Sequence, residues 1–566
     1  MKQDHLTRRL VSASLEYTSE VMGLALRDSA YSPNIRERMD HSAAVFTADG
    51  RLLAQAEHIP VHLGSLPWGL RNLIARCGKE GLELEEGCMV AANDPYITGT
   101  HLNDVTVAAP VHSGGRLVAF VVNKAHHSDV GGVAPGSISM KARTLDEEGL
   151  VLEPTYLWRR HDFVRAVVDG LAKTSRSPTE RKGDLRAQVA ANVAGAKKVR
   201  ELIDKVGLRT LGLAAEESFE RSERMFARRI SRFRRGTYSA QDLLEGKHGE
   251  DITLRATVRI TGAGVEVDYE GTDAQVDYPM NAVLGVTISG AYFVLRALTG
   301  SDIPANHGAF RRVKVRAPEG CILNPTSPHP VGAGNVETSQ RNADVLFRAL
   351  SGALHGEVPA AAGGSMNNVM MGGMWRGASW SFYETIGVGL GGGPAMDGMD
   401  GIQANMTNTL NTPIEEIEKS FPLLMTRYEF RPDSSGAGRN RGGSGLVRSY
   451  ECLADGTVFT ITADRERHRP WGVDGGLEGA GTRVFLRRRG RLTRRNTKST
   501  MVLRAGDEVE VWTAGGGGYG GPSERPKAKV REDLSNGLIT QGEARRDYGD
   551  SKLSSTARRK PPGTEK

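Results

Sequence analysis

Asp94, His101, Asp104, His126, His127 and Asp129, side chains able to hold or serve a metal ion, fall between Asn93 and Asp129 of this 566-residue chain. Imidazole nitrogens and carboxylate oxygens together suit zinc, manganese or iron, and an open position lets such an ion act on a water or a substrate oxygen. His101 and Asp104 lie three residues apart on a polar turn that precedes a strand-like run starting at Val105. A second strand-like run, from Leu117, leads into Lys-Ala-His-His-Ser-Asp. If the two runs pair around Ser113-Gly114-Gly115, residues just before the first strand meet residues just after the second. His101, Asp104 and His126 then converge without long-range folding. The same spacing fits a blander reading, in which polar residues crowd strand ends because chains turn there and the histidines are only hydrogen-bonded or solvated.

The elements around this stretch are legible from pattern. Apolar positions at Leu10, Leu15, Val21, Met22, Leu24 and Leu26 predict an opening helix over about His5 to Asp28. Asp49-Gly50 between Ala-Ala-Val-Phe and Arg-Leu-Leu-Ala-Gln predicts a hairpin. The polar segments on either side hold Asn34, Arg36, Glu37, Arg38 and Asp40, then His58, His62 and Ser65. They are candidates to line a pocket, with a salt-bridged turn as the simpler alternative. A helix over Trp68 to Cys77 follows, then a strand from Cys88. More than half of the 14 histidines precede residue 130, so the chemistry is expected in the N-terminal part.

Downstream, residues 162–233 are charged and helix-forming, and a β meander with one buried face follows. Residues 280–427 are rich in glycine and asparagine and suit a polar pocket or a series of Asx turns. The basic glycine loop from Arg431 could cradle an anion but lacks the P-loop pattern. Four strand-like runs after it predict a β region that ends in Gly-Gly-Gly-Gly-Tyr-Gly-Gly-Pro, residues 515–522. A short helix is expected near Gln541 to Tyr548 and a disordered tail from Ser551. The fold class is therefore mixed α+β with several domains. The expected division is an N-terminal α/β metal-site domain over 1–160, a helical segment over 161–240, a central α/β domain over 241–430, a mostly β C-terminal domain over 431–522, and a helix and tail over 523–566.

Composition narrows the class. Charged residues at 25% and hydrophobic residues at 39% are globular values, and 69 glycines without a repeat imply many tight turns rather than a collagen-like or linker chain. The net charge of +7 is dispersed and no nucleic-acid module is present, which argues against nucleic-acid binding. Four cysteines without a CxxC pair are read as buried thiols in a reducing compartment. No run of eighteen apolar residues occurs, so no membrane association is expected, and the location is expected to be cytoplasmic.

The segments NIRERMDHS, AEHIPVHLGS, NDPYITGTHLNDVT, KAHHSDVGGVAPGS, EEGLVLEP, GNVETSQR, YETIGVGLGGG, NMTNTLNTP, RYEFRPDSSGAGRNRGG and GGGGYGGP, in that order, resemble the hydantoinase B / 5-oxoprolinase family over roughly residues 5–550. That family includes N-methylhydantoinase B subunits, the C-terminal part of fused 5-oxoprolinases, and subunits of acetone and acetophenone carboxylases. The resemblance implies a hetero-oligomer in which a hydantoinase A-like partner uses ATP to phosphorylate a small lactam or ketone, while this chain completes the reaction without binding ATP. By the same resemblance His101, Asp104 and His126 look like the metal ligands, with His127 the alternative third ligand, since neighbouring strand residues face opposite ways. The implied mechanism is hydrolysis of an activated cyclic amide by a water acidified by the ion. Asp94 or Asp129 would orient ligands or accept the proton. Arg36 and Arg38 would hold the phosphate or a carboxylate, and His62 would contribute to the substrate pocket. A ketone carboxylase subunit is the alternative, and a non-catalytic scaffold of such a complex the second.

Overall fold

The computed structural model describes residues 2–56 and 58–549. Its N-terminal part is built on a seven-stranded sheet of β1 (His41–Thr47), β2 (Leu52–Ala56), β3 (Met89–Ala92), β4 (Asp104–Ser113), β5 (Arg116–His126), β6 (Thr155–Arg159) and β7 (Asp162–Phe163). The order is β2-β1-β5-β4-β3-β6-β7, and every pair along it is antiparallel. The hairpin at Asp49-Gly50 and the β4–β5 hairpin at Ser113-Gly114-Gly115 both form as expected.

The central strands read as nearly continuous apolar runs because both faces are covered. Ala43, Val45, Val105, Val107, Ala109, Ala119 and Val121 pack beneath α1 (Lys2–Ser29) and a long helix spanning Pro178–Ile230. The alternate set, Ala44, Phe46, Val90, Ala92, Ala108, Phe120 and Val122, packs on α2 (His62–Glu80). A period of two therefore sends successive residues into two different cores. The long helix, hereafter α3, lies close against α1 because Gly195 leaves room for Met22, whose thioether a Cβ at that position would strike. It is kinked at Gly207, whose φ of 77° is outside the helical region.

The predicted helix over Trp68 to Cys77 begins earlier, at His62, and so carries His62 in its first turn. The helical segment consists of Arg165–Thr174 and α3, followed by strands Gly236–Glu245, Asp251–Ile260 and Val265–Asp268, the expected meander, which Val313–Arg316 joins in parallel. The strands Asn368–Trp375 and Ala378–Glu384 share a sheet with Thr457–Thr462 and Lys498–Leu503, so strands from either side of the boundary expected at 430/431 pair directly. A second sheet holds Leu423–Phe430, Leu446–Cys452, Glu508–Trp512, Arg483–Arg488 and Arg491–Arg495.

The basic glycine loop turns two of its arginines inward and leaves Arg439 exposed. Arg431 donates to the carbonyls of Gly481 and Thr513, and Arg441 is held by Asp400 and Asp533. Gly515–Gly518 thread between neighbouring backbones too closely for any Cβ, which explains that run as a packing requirement. All four cysteines are free and buried. The helix Gln541–Tyr548 is present, whereas the expected tail from Ser551 lies outside the described residues. Among the described residues no helix is long and apolar enough to cross a membrane.

Candidate metal centre

The β4–β5 ladder sets Asp104, the first residue of β4, directly opposite His126, the last residue of β5. His101 precedes Asp104 on a turn that starts at Gly99, a glycine with φ of 88°, and the turn is closed by Asp104 N–H donating to the His101 carbonyl at 3.0 Å. Three atoms meet as a result. His101 Nε2 and His126 Nδ1 are 3.1 Å apart, and each lies 3.3 Å from Asp104 Oδ1. Donors about 2.1 Å from a common ion and about 100° apart would be separated by about 3.2 Å, so the triangle has the dimensions of one face of a coordination shell. All three residues are buried.

Outer hydrogen bonds prepare His101 and Asp104 to act as donors. His101 Nδ1–H donates to the Gly332 carbonyl at 3.2 Å, which leaves the lone pair on Nε2 facing the centre. Gly332 is held in turn because its N–H, and that of Val331, donate to the two oxygens of buried Glu148 at 2.8 and 2.9 Å. Gly332 has no Cβ to strike Glu148 Oε1, which would lie 2.8 Å from it. His62 Nε2 approaches Asp104 Oδ2 at 3.3 Å, and its Nδ1 lies 2.9 Å from Ser42 Oγ. A carboxylate only accepts, so Nε2 carries the proton and Ser42 donates to Nδ1. The His126 ring stacks on Tyr383, with centroids 4.4 Å apart.

Electrostatics divide the three histidines: the shift of His101 favours its imidazolium, whose Nε2 proton an incoming ion would have to displace, whereas His62 and His126 are held neutral. Burial alone would depress the His101 pKa, but Asp104 and the Gly332 carbonyl outweigh it and hold it above the ordinary value. Burial would likewise raise Asp104, yet His101, His126 and His62 bring it well below the usual carboxylate range. His62 and His126 are lowered by burial, which keeps them neutral and able to donate or ligate. Lys124, whose Nζ donates to Thr98 O and Thr100 Oγ1 at 2.8 and 3.0 Å, is brought by burial to about 8.

The remaining residues singled out from sequence have other surroundings. Asp94 is the N-cap of the short helix Pro95–Thr98, its carboxylate accepting from Tyr96 N–H at 2.9 Å, rather than an outer partner of the ligands. Asp129 is buried and organises its own loop, accepting from the N–H groups of Gly131, Gly136 and Arg176 and from the Arg176 guanidinium at 3.0–3.1 Å. His127 points to the opposite face from His126, as adjacent strand residues must, and its Nε2 meets Gln188 of α3 at 3.0 Å. Arg36 is half-exposed and pairs with Glu37 and Glu416. Arg38 is buried. Its guanidinium donates to Asn34 Oδ1, the Tyr383 and Leu410 carbonyls, and the hydroxyls of Thr385 and Thr409, and lies 5.0 Å from the Tyr383 ring centroid. With its donors spent on protein acceptors, it is a clamp rather than an anion receptor. His62 serves Asp104 instead of lining a substrate pocket.

Asp40 is the neighbour that spacing within 93–129 did not reveal. Its Oδ2 lies 3.8 Å from His126 Nδ1, and its carbonyl accepts from His126 N–H at 3.0 Å. The available signal was the hairpin itself, since Asp40 immediately precedes β1 and β1 pairs with β5.

Known proteins resemble this chain over most of its length. The family model described as hydantoinase B/oxoprolinase matches residues 4–522. An uncharacterized protein of Methanocaldococcus jannaschii is 44% identical over 96% of this chain and 96% of its own length. A protein of Pseudomonas sp., provisionally called the B component of a D-/L-hydantoinase, is 32% identical over 97% of this chain and 95% of its own. 5-oxoprolinase 1 of Arabidopsis thaliana is 34% identical over 89% of this chain, which spans only 40% of that longer protein. Among solved structures, an ATP-dependent caprolactamase from Pseudomonas jessenii superposes with a TM-score of 0.89 at 29% identity, covering 96% of each chain. An acetone carboxylase shares the fold, with a TM-score of 0.90 at 18% identity over 97% of this chain and 80% of that one.

Proposed function

The chain belongs to the hydantoinase B/oxoprolinase family, and from that membership we propose that it is the B-type subunit of an ATP-dependent cyclic-amide hydrolase. A hydantoinase A-like partner would phosphorylate the carbonyl oxygen of the substrate with ATP. This chain would then direct water onto the activated carbon, so that the C–N bond breaks and the ring opens as an acyl phosphate with the nitrogen taking up a proton, and a second water would release phosphate and the open-chain acid. The observation that carries the proposal is the buried triangle of His101 Nε2, Asp104 Oδ1 and His126 Nδ1, with edges of 3.1–3.3 Å. It occurs in a chain 29% identical to a solved ATP-dependent caprolactamase, which favours amide chemistry over the carboxylase with which only the fold is shared.

A divalent zinc, manganese or iron ion held by the three residues would supply Lewis acidity and make a water available as nucleophile near neutral pH. The protein supplies the rest. Gly332 fixes the His101 tautomer, His62 aims the Asp104 carboxylate, and Tyr383 covers the His126 ring. Asp40 places a second carboxylate on the same side, positioned to accept a proton from the attacking water or to add a further donor.

The test is to co-purify the chain with its ATP-using partner, measure bound metal, and assay lactams, hydantoin and 5-oxoproline with ATP. ADP, phosphate and an open-chain acid should form together, and His101→Ala should abolish both bound metal and acid. Bicarbonate-dependent loss of a ketone would transfer the assignment to a carboxylase. Full activity of a metal-free His101→Ala complex would reduce the chain to a scaffold.

A further inference from the structure

The opening helix α1 is apolar on two faces, and the core of the chain uses only one of them. Val11, Leu15, Met22 and Leu26 are buried against the N-terminal sheet and α3. On the far side Leu6, Leu10, Tyr17 and Leu24 are 60%, 60%, 61% and 46% exposed, and Ala13 is open to solvent between them. Leu6, Leu10, Ala13, Tyr17 and Leu24 follow one another at the spacing of the two inward positions of a heptad, which is the seam of a coiled coil. A helix packed on one core needs one such stripe. The second stripe is patterned for a neighbour that the chain itself does not supply among the described residues.

Area and charge decide what could cover it. Single exposed apolar residues are ordinary, but contiguous half-exposed side chains of this size leave on the order of 500 Å² of apolar surface in water, near the top of the roughly 300–600 Å² found on monomers. The sequence from Ser551 to Lys566 does not match the stripe, since Leu553 is its one large apolar residue and five of its side chains are basic. A second copy of the chain does match it. A two-fold contact buries the stripe of each copy and removes about 1,000 Å² in all, the size at which specific interfaces begin.

A two-fold axis that crosses the helix makes the contact self-complementary and runs the copies antiparallel. With the axis level with Leu15, Leu6 meets Leu24 of the second copy, Ala13 meets its Tyr17, and Leu10 meets its Glu20. Arg9 is exposed and has no ion-pair partner among the described residues, and this register brings it beside Glu20 of the second copy. Glu20 is exposed too, its carboxylate 3.7 Å from His58 Nε2. Symmetry makes the Arg9–Glu20 pair twice. A parallel pairing would instead set Glu20 against Glu20 and leave Arg9 unpaired. Val105 and Ala125 face the α1 side of the sheet, so their neighbours Asp104 and His126 project from the other side, and the contact leaves each metal centre to its own chain. We propose that α1 is a homodimer interface, in which the outer stripes of two copies pack antiparallel.

The experiment is sedimentation velocity of the purified full-length chain without any partner, which should show a dimer at concentrations of about 10 µM. Leu10→Lys combined with Leu24→Lys changes only exposed side chains and should give a monomer with the native melting temperature. Arg9→Glu and Glu20→Arg, each alone, should weaken the dimer roughly tenfold or more. Together they should restore it, and this exchange keeps the test decisive if the double lysine variant folds poorly. A monomeric native chain overturns the proposal. So does a dimer that survives the two lysines, or a charge reversal that the second reversal does not rescue. A native chain that is monomeric alone, and whose lysine variant loses only its hold on the ATP-using partner, also overturns it and gives the stripe to that partner.

Discussion

His62→Ala isolates the role of an outer contact on a candidate ligand. The substitution removes the N–H that points at Asp104 Oδ2 from 3.3 Å and leaves the three donor atoms in place. A hydrogen bond to a charged group contributes about 1.5–3 kcal/mol, and the long separation argues for the lower end. About 1.5 kcal/mol corresponds to roughly a tenfold loss of ion affinity, within the range of about 10–100-fold typical when outer partners of a ligand are removed. The Ser42 hydroxyl, 2.9 Å from His62 Nδ1, also loses its acceptor, so folding stability must be measured separately on the metal-free chain. The assay is a competition titration of manganese or zinc against a chelator of known affinity, with Asp104→Asn as the reference for loss of a ligand and His62→Gln to restore a donor. The expected order of affinity is native, then His62→Gln, then His62→Ala, with Asp104→Asn far below. Affinity of His62→Ala within twofold of native would show that the contact does not tune Asp104. A loss as large as that of Asp104→Asn would make His62 a ligand itself.

Three further outcomes follow from particular contacts. Arg38→Lys should lower stability by about 2–4 kcal/mol in denaturant titrations, because a single ammonium cannot replace a guanidinium spread over Asn34, Tyr383, Thr385, Thr409 and Leu410; unchanged stability with a raised KM would return Arg38 to anion binding. Asp129→Ala should cost about 3–5 kcal/mol by leaving three N–H groups without their acceptor and removing one of the Arg176 contacts, while the metal content of the folded fraction stays at the native level; loss of turnover with full stability would instead make Asp129 catalytic. Glu337 is pushed by burial from 4.5 to about 8, so the folded state prefers the neutral acid. That contribution is complete below about pH 4.5 and is lost as pH rises through 8, a difference on the order of 5 kcal/mol. Glu337→Gln should therefore flatten the fall in Tm between pH 5 and 8, and parallel melting profiles for the two proteins would refute the assignment.

Much of the site was legible in the sequence because the contacts that form it are local. His101, Asp104 and His126 lie within one hairpin, and a hairpin's register follows from its turn and its apolar alternation. The same alternation dictates that His126 and His127 face opposite ways. The hairpin at Asp49-Gly50, the opening helix and the mixed α+β class were likewise readable, since each rests on periodicity or turn chemistry within a few residues. What the sequence could not state was how distant segments divide the polar groups among themselves. Arg38 has the composition of an anion receptor, yet Thr385, Thr409 and Leu410, more than 340 residues away, consume its donors. Asp94 and Asp129 differ from Asp104 only in where their backbones turn, which makes one a helix cap and the other a loop organiser. Gly332, Glu148 and Tyr383 reach the centre across the whole fold, and no local pattern marks them. The sharing of a sheet by strands near 370 and 460 has the same origin. Which strand edge a chain returns to is chosen by the burial of both faces in three dimensions, a collective quantity that no window of sequence contains.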